Sequence, residues 1–161
     1  IMGPGDYAVG EMTGNLVRII NGELSVGIDG DFNICDVRDL ADGVIEAAEK
    51  GRSGECYILA NEPITFKEFC NLVTEESGGK KVGFFMPVFA ANIISHITEA
   101  QAKKKGEEPI LTSFNVYSMA RNNDFDSTKA KEELGYQTRP YKETIHDQVS
   151  WMLEEGIIKK D

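Results

Sequence analysis

The feature of the sequence that most restricts its fold is the alternation of short strand patterns with amphipathic helical patterns. Residues 40–48 carry apolar side chains at helical spacing that stop at Gly51, and a short apolar run follows at 56–59. Thr65 and Glu68 then form a capping-box pattern at the start of another helix. Strand and helix in turn, with short connections, are typical of an α/β unit on a parallel sheet. We therefore predict an α/β fold with a small sheet.

The rest of the chain is predicted to be mainly helical. Asp6 is predicted to cap a first helix ending at Gly22, and two extended pieces follow at 24–28 and 32–37. Asp39 is the expected N-cap of the helix at 40–48. The remaining predictions are an extended piece at 81–86, a helix opened by Pro87 with Phe89, Ile93, Ile97 and Ala100 inward and Lys103, Lys104 and Lys105 at its end, a helix at 113–120, an extended pair at 124–125, a helix at 127–134 closed by Gly135, and a last helix at 140–155 whose Trp151, Met152 and Leu153 face the core.

Composition narrows the class of protein. A chain of 161 residues with 41% hydrophobic side chains can build one core, and without repeats or long linkers we predict a single unit over 1–161. A formal net charge of -10 disfavours nucleic acid and membrane surfaces as partners. Three cysteines without close spacing predict reduced thiols in a cytoplasmic protein, and no apolar stretch or leader suggests another destination.

The motifs that carry common catalytic chemistry are missing from the sequence. It has no glycine-rich phosphate loop, and none of its five tyrosines is followed by a lysine four residues later. Its two histidines, His96 and His146, lack the spacing of metal ligands. We therefore assign no catalytic, cofactor-binding or metal-binding residue to this chain and expect it to be inactive alone.

Several stretches, in order along the chain, resemble the extended short-chain dehydrogenases and reductases of the epimerase/dehydratase superfamily, above all the dihydroflavonol-reductase-like branch. They are Gly-Pro-Gly-Asp at 3–6, Asp-Val-Arg-Asp-Leu-Ala-Asp-Gly at 36–43, the run 50–62 and the run 125–136, with Trp151 in the last helix. The resemblance implies the C-terminal part of a doubly wound, Rossmann-type protein, namely a mainly helical substrate domain with a few short strands. Asp39, Asp126 and Ser127 are interpreted as helix caps rather than catalysts.

The same resemblance implies that the dinucleotide-binding portion lies before Gly3 and is absent here, together with the catalytic Tyr-x-x-x-Lys pair. A longer parent would use NAD or NADP, whereas this chain alone is expected to bind neither. Its expected partners are a small-molecule substrate and either the missing N-terminal half or a second copy. Exposed apolar helix faces in an isolated half are the reason for that expectation.

Four residues are predicted to face a substrate pocket: Met12, Leu16, Phe32 and Met86, with plain core packing as the competing interpretation. Phe32 stands where nucleotide-sugar members of the family carry a phosphate-contacting arginine, and an aromatic ring cannot pair with a diphosphate. The expected parent therefore reduces the carbonyl of a small, fairly apolar substrate. The alternatives are a non-catalytic relative that senses a dinucleotide or ligand, and a nucleotide-sugar epimerase or dehydratase.

Overall fold

The computed structural model describes residues 1–106, Pro109 and residues 111–159, and in these ranges helices outnumber short strands. The elements, in chain order, are α1 (Glu11–Ile20), β1 (Val26–Asp29), β2 (Asp31–Asn33), α2 (Val37–Lys50), β3 (Pro63–Thr65), α3 (Phe66–Ser77), β4 (Phe84–Pro87), α4 (Val88–Lys105), α5 (Ser113–Met119), α6 (Thr128–Leu134) and α7 (Tyr141–Glu154). The predicted α/β class with a few short strands is confirmed.

The strands form two separate pairs. β1 and β4 are parallel with Val26 opposite Phe84, and β2 and β3 are antiparallel with Asp31 opposite Thr65. A further parallel bridge joins Met2 to Asp36, so the start of the chain lies beside the residue that begins α2. The expected parallel sheet is therefore present only as pieces.

Two predicted extended segments are wrong as strands. Residues 124–125 have no strand partner in the described ranges, and neither do residues 56–59. The second segment still alternates like a strand, because Tyr57 and Leu59 pack against α6 while Cys56 and Ile58 are exposed. A strand needs a hydrogen-bonded neighbour as well as a side-chain pattern, and the described residues supply none there.

Helix starts follow local chemistry, with two corrections. Thr65 caps α3 as predicted, because its hydroxyl accepts a hydrogen bond from the Glu68 amide at 3.1 Å. The N-cap of α2 is Asp36 and not Asp39, which lies buried in the first turn. Asp6 does not cap a helix directly. Its carboxylate accepts the Gly10 amide at 2.9 Å, and α1 begins one residue later.

The inward face predicted for α4 is wrong. Phe89, Ile93 and Ile97 are 70%, 59% and 53% exposed, and Ala100 is exposed as well. The helix buries small side chains, among them Ala91, which packs with Val116 of α5 and Ile28 of β1. Small residues allow close approach of the backbones, so packing selected the small face and left the large apolar face outside.

The main core lies between α1, α3 and α7. Its fully buried members are apolar side chains that these helices contribute at helical spacing: Leu16, Ile19, Phe69, Val73, Ile145, Val149 and Met152. Trp151 and Met152 face this core, as predicted. Among the described residues, no helix is both long enough and apolar enough to cross a membrane.

Candidate functional site

The turn at Gly3 is held by a buried glutamine from the last helix. Gly3 has a φ of 142°, and its amide donates to Oε1 of Gln148 at 2.8 Å. A Cβ on Gly3 would lie 2.7 Å from the side chain of Val37, so a larger residue would push the turn away from α2. The Gly-Pro-Gly-Asp turn at 3–6, one of the stretches that carry the family resemblance, is therefore fixed by α2 and α7.

A cluster of two buried carboxylates and two arginines lies beside this turn. Asp36 accepts the backbone and side-chain N–H groups of Arg38, with its Oδ2 2.8 Å from Nη2. Asp39 accepts the amide of Arg139 at 2.8 Å and its Nε at 2.8 Å. The Asp-Val-Arg-Asp motif thus ties the start of α2 to the segment before α7, which is a structural role.

The ion pairs decide the ionisation of Asp36. Burial opposes the charged carboxylate, but the hydrogen bonds and charge of Arg38 outweigh it, so the pKa of Asp36 lies below its ordinary value. Hydrogen bonding to Asp36 likewise raises the pKa of Arg38. Both groups are charged at neutral pH, so neither is poised to exchange a proton with a substrate.

We expect the free energy of unfolding to decrease as pH falls below 3.8, the ordinary pKa of the Asp36 carboxyl. A group whose folded pKa is depressed contributes stability above its unfolded pKa and loses it as pH falls through the folded pKa. The Asp36→Asn variant cannot take up this proton. At acid pH its free energy of unfolding should therefore depend on pH less steeply than that of the wild type, by a slope equivalent to about one proton. Urea unfolding at a series of pH values measures the slope. Glu49→Gln, on the exposed side of α2, is the matched control and should keep the wild-type slope.

Two open grooves of about 550 and 510 Å³ adjoin the cluster, and Thr138 and Arg139 line both. Their walls are mainly polar or charged: Asn61, Glu62, Asp124, Asp126, Ser127, Thr128 and Lys131 in the first, and Asp39, Asp42, Glu46 and Gln137 in the second. Nowhere in the described ranges do three or more metal-binding side chains meet in a way that could hold an ion.

The structure does not bring the four predicted pocket residues into one cavity. None of them lines either groove. Leu16 is fully buried in the main core and has no surface to offer a ligand, so core packing is the correct interpretation for it. Met12 and Phe32 lie partly buried at the edge of that core, and Met86 lies at the edge of the second cluster with Ile28. Contact of these three with a substrate stays a prediction.

Phe32 belongs to an aromatic group on the side of β2 and α3. Its ring meets Phe69 edge to face at 5.2 Å and Phe66 at 6.2 Å, and Phe66 in turn meets Phe85 at 6.3 Å. Phe69 is fully buried, whereas the other three rings are partly exposed. The group is an apolar wall that is open on one side.

The cysteines are free, and two of them are buried. Burial raises the pKa of the Cys70 thiol to about 12, and it also raises the pKa of Cys35, which lies 3.4 Å from the Tyr136 hydroxyl. Burial raises the pKa of Tyr136 in the same way. These groups stay protonated at neutral pH, so the two thiols are poor nucleophiles.

One face of the molecule combines an apolar helix stripe with a backbone segment that has no strand partner in the ranges the structure describes. Val44 and Ile45 of α2 are 56% and 55% exposed, which agrees with the apolar helix face expected to be uncovered in an isolated half. Residues 56–60 run alongside, because Leu59 would be 3.0 Å from a Cβ on Gly43 of α2. We call the exposed side of α2 together with residues 56–60 the open face.

Comparisons with known proteins agree with this architecture. No family model matches the chain. It is 31% identical over 156 residues to 3beta-hydroxysteroid-dehydrogenase/decarboxylase isoform 2 of Arabidopsis thaliana, covering 84% of this chain and 27% of that protein. It is 24% identical over 152 residues to a putative dihydroflavonol 4-reductase of Synechocystis, covering 91% of this chain and 44% of that protein. The crystal structure of gox2253 superposes with a TM-score of 0.80 at 28% identity, over 98% of this chain and 48% of that one.

The chain belongs to the extended short-chain dehydrogenase/reductase family. It has the fold of the C-terminal part of these proteins and spans about half of their length or less. Two further structures share the fold. A nucleoside-diphosphate-sugar epimerase from Pseudomonas aeruginosa superposes at 24% identity with a TM-score of 0.72, over 98% of this chain and 47% of that one. RMD from the same organism, complexed with NADPH, superposes at 10% identity with a TM-score of 0.60, over 96% and 45%.

The motifs that carry the family resemblance have structural roles in the described residues. The extended short-chain dehydrogenase motif at 36–43 is the buried cluster, and the motif at 125–136 is α6 with its cap, where Asp126 accepts the amide of Thr128 at 2.9 Å. Gln148 and Arg139, which hold the turn and the cluster, were missed by sequence reasoning. Their partners lie 145 and 100 residues away in the chain, and no local spacing marks them.

Proposed function

We propose that this chain forms the substrate-binding part of an NAD(P)-dependent oxidoreductase that reduces a carbonyl of a small, fairly apolar molecule. The observation that carries the proposal is the aromatic group at Phe32, Phe66 and Phe85, where a ring occupies a position that would need a cation to bind a diphosphate. The name of the Arabidopsis relative, a hydroxysteroid dehydrogenase, supports an apolar substrate.

Three helix starts among the described residues are poor sites for the pyrophosphate of a dinucleotide. An anion binds a helix N-terminus through free backbone N–H groups. Here the side chains of Asp36 and Thr65 already accept backbone N–H groups at the starts of α2 and α3. The carboxylates of Asp6 and Glu11 place negative charge at the start of α1. The proposal therefore assigns the cofactor to a part of the longer protein that this chain does not contain, and the residues here bind and orient the substrate.

The open face supports the assignment of the cofactor to another part of the longer protein. Exposed Val44 and Ile45 flank a backbone segment, 56–60, that alternates like a strand. Such a surface fits another sheet, which would pair with the segment and cover the stripe on α2. We propose that the remaining part of the longer protein packs there. A second copy of the chain is the competing occupant when the chain is expressed alone.

The expected result for the longer protein is NAD(P)H-dependent turnover of apolar ketones or aldehydes and none of sugar nucleotides. Phe32→Arg should raise KM for the apolar substrate tenfold or more, because a guanidinium in an apolar wall loses hydration worth several kcal/mol. Phe32→Leu keeps the wall apolar and should change KM only a few-fold. The rate of NAD(P)H oxidation, followed by absorbance across a panel of substrates, gives KM for both variants.

The control is Phe84→Arg, at an exposed ring on β4, which should leave KM unchanged. Melting curves for each variant separate a loss of folding from a loss of substrate binding. Turnover of a nucleotide sugar with no activity on apolar carbonyls would overturn the proposal in favour of an epimerase or dehydratase. Tight NAD(P)H binding without any turnover would favour a sensor.

A further inference from the structure

Gly27 of β1 lies directly opposite Phe85 of β4 in the parallel strand pair. It is buried, and its backbone does not adopt the left-handed conformation that favours glycine. A Cβ at this position would lie 2.6 Å from two carbon atoms of the Phe85 ring, far inside van der Waals contact. A glycine within a strand often marks such a close approach. The edge of the Phe85 ring therefore occupies the space that a side chain at position 27 would fill.

The Phe85 ring is also in contact with Phe66 of α3. The two rings meet edge to face, with their centroids 6.3 Å apart and their planes at 77°. The ring of Phe66 comes within 3.2 Å of the same Cβ position on Gly27. Phe85 is thus fixed between the backbone of β1 and a second ring, while the remainder of its surface is partly exposed. This part of the aromatic group is a rigid wall, because backbone atoms cannot move aside as a flexible side chain can.

The two strands carry small residues next to the Phe85 ring. Side chains alternate between the faces of a strand, so Ser25 and Gly83 lie on the same face of the strand pair as Gly27 and Phe85. Both are exposed, and a Cβ on Gly83 would lie 4.0 Å from the nearest atom beyond its chain neighbours, the carbonyl oxygen of Ser25. At these two positions the exposed side of the Phe85 ring therefore borders open surface and not another large side chain.

We infer that Gly27 is a specificity-determining residue that sets how broad a ketone the proposed substrate site accepts. The inference rests on the proposed function, in which the aromatic group binds the apolar part of the substrate. With glycine at this position, the Phe85 ring lies close against β1 and leaves the space on its exposed side to the substrate. A single six-membered ring covers one aromatic ring of the group, whereas a fused ring system extends over the 6.3 Å between Phe66 and Phe85.

An alanine at position 27 would move the Phe85 ring by about 1 Å, the difference between the present separation and ordinary contact between carbon atoms. Phe66 blocks movement toward α3, so the ring would move toward its exposed side. There it would occupy part of the space that a fused-ring substrate needs. A one-ring ketone would keep its contacts, because it covers a smaller part of the wall.

The test compares the longer protein and its variants on cyclohexanone, which has one ring, and 2-decalone, which has two fused rings. The measured quantity is the decalone preference, defined as kcat/KM for 2-decalone divided by kcat/KM for cyclohexanone. The wild type should prefer 2-decalone by about tenfold or more, since each further buried methylene favours binding. Gly27→Ala should lower this preference about tenfold, because the displaced ring overpacks the space of the broader ketone. In a Phe85→Leu background, adding Gly27→Ala should change the preference by about twofold or less, since no ring remains to be displaced.

The matched control is Gly83→Ala, which adds the same methyl group just before β4, where space is free, and it should keep the wild-type preference. Melting curves verify folding of each variant. If Gly27→Ala does not fold, Phe85→Leu alone decides, because loss of the ring should lower the preference about fivefold. Turnover of neither ketone by the wild type would overturn the proposed function and this inference with it. Turnover of both ketones with an unchanged preference in Gly27→Ala or Phe85→Leu would overturn the inference alone.

Discussion

Replacement of Arg139 by Ala is expected to lower the free energy of unfolding by about 3–5 kcal/mol, the usual cost of leaving a buried charge without its partner. The guanidinium lies 2.7 Å from Oδ1 of Asp39 and 3.6 Å from Oδ2 of Asp36. The Asp36 side chain is fully buried, and that of Asp39 is nearly so. Without the Arg139 side chain, the backbone N–H of residue 139 is the one partner left to the Asp39 carboxylate among the described residues.

Urea unfolding of the chain measures this loss. Arg139→Lys should fall between wild type and Arg139→Ala, since an ammonium keeps the charge but not the forked geometry. Arg52→Ala is the matched control, because Arg52 forms an ion pair with Glu133 at 2.6 Å on the exposed surface, where such pairs contribute little to stability. Equal, small losses for the two alanine variants would contradict a structural role for the buried cluster.

The chain alone is expected to bind NADH or NADPH at least a hundredfold more weakly than a longer protein that includes the dinucleotide-binding part of the family. The helix starts at Asp36 and Thr65 are already occupied, and a pyrophosphate near α1 would meet the carboxylates of Asp6 and Glu11. Each like charge disfavours the anion further.

Titration calorimetry compares the two proteins directly. Weak or unsaturated heats are expected for the 161-residue chain and micromolar, one-to-one binding for the longer protein. Saturable micromolar binding to the chain alone would show that the cofactor site lies within these residues. The Asp6→Asn/Glu11→Gln variant removes the negative charge near α1. If this variant of the chain binds the dinucleotide tightly, charge repulsion and not the lack of a phosphate-binding loop prevents binding in the wild type.

Local signals predicted local structure well. Thr65 and Gly135 mark a helix start and a helix end because their hydrogen bonds and backbone conformation involve residues only a few positions away. The role of Asp39 could not be predicted in this way, since its partner Arg139 lies 100 residues further on. Asp39 was expected to cap the helix at 40–48, but the cap is Asp36.

The face of α4 was mispredicted for a different reason. Apolarity predicts burial, but α4 has apolar residues on both sides, small ones such as Ala91 and large ones such as Ile93, and only the packing against α5 decides between them. The contacts within the candidate site could not be predicted from the sequence either. Phe32 could be matched to a family position, whereas its contacts with Phe66 and Phe69 depend on how β2 meets α3.

The backbone at 56–60 has no strand partner among the described residues, and this makes the isolated chain vulnerable to cross-β aggregation. The segment reads Cys-Tyr-Ile-Leu-Ala, has no charge, proline or glycine, and leaves Cys56 and Ile58 exposed. An uncovered edge of this composition is a template on which further chains add, with each new strand presenting the same edge to the next. A charged residue at Ile58 would act as a gatekeeper against fibrils, and it would at the same time obstruct the sheet that we propose packs on the open face.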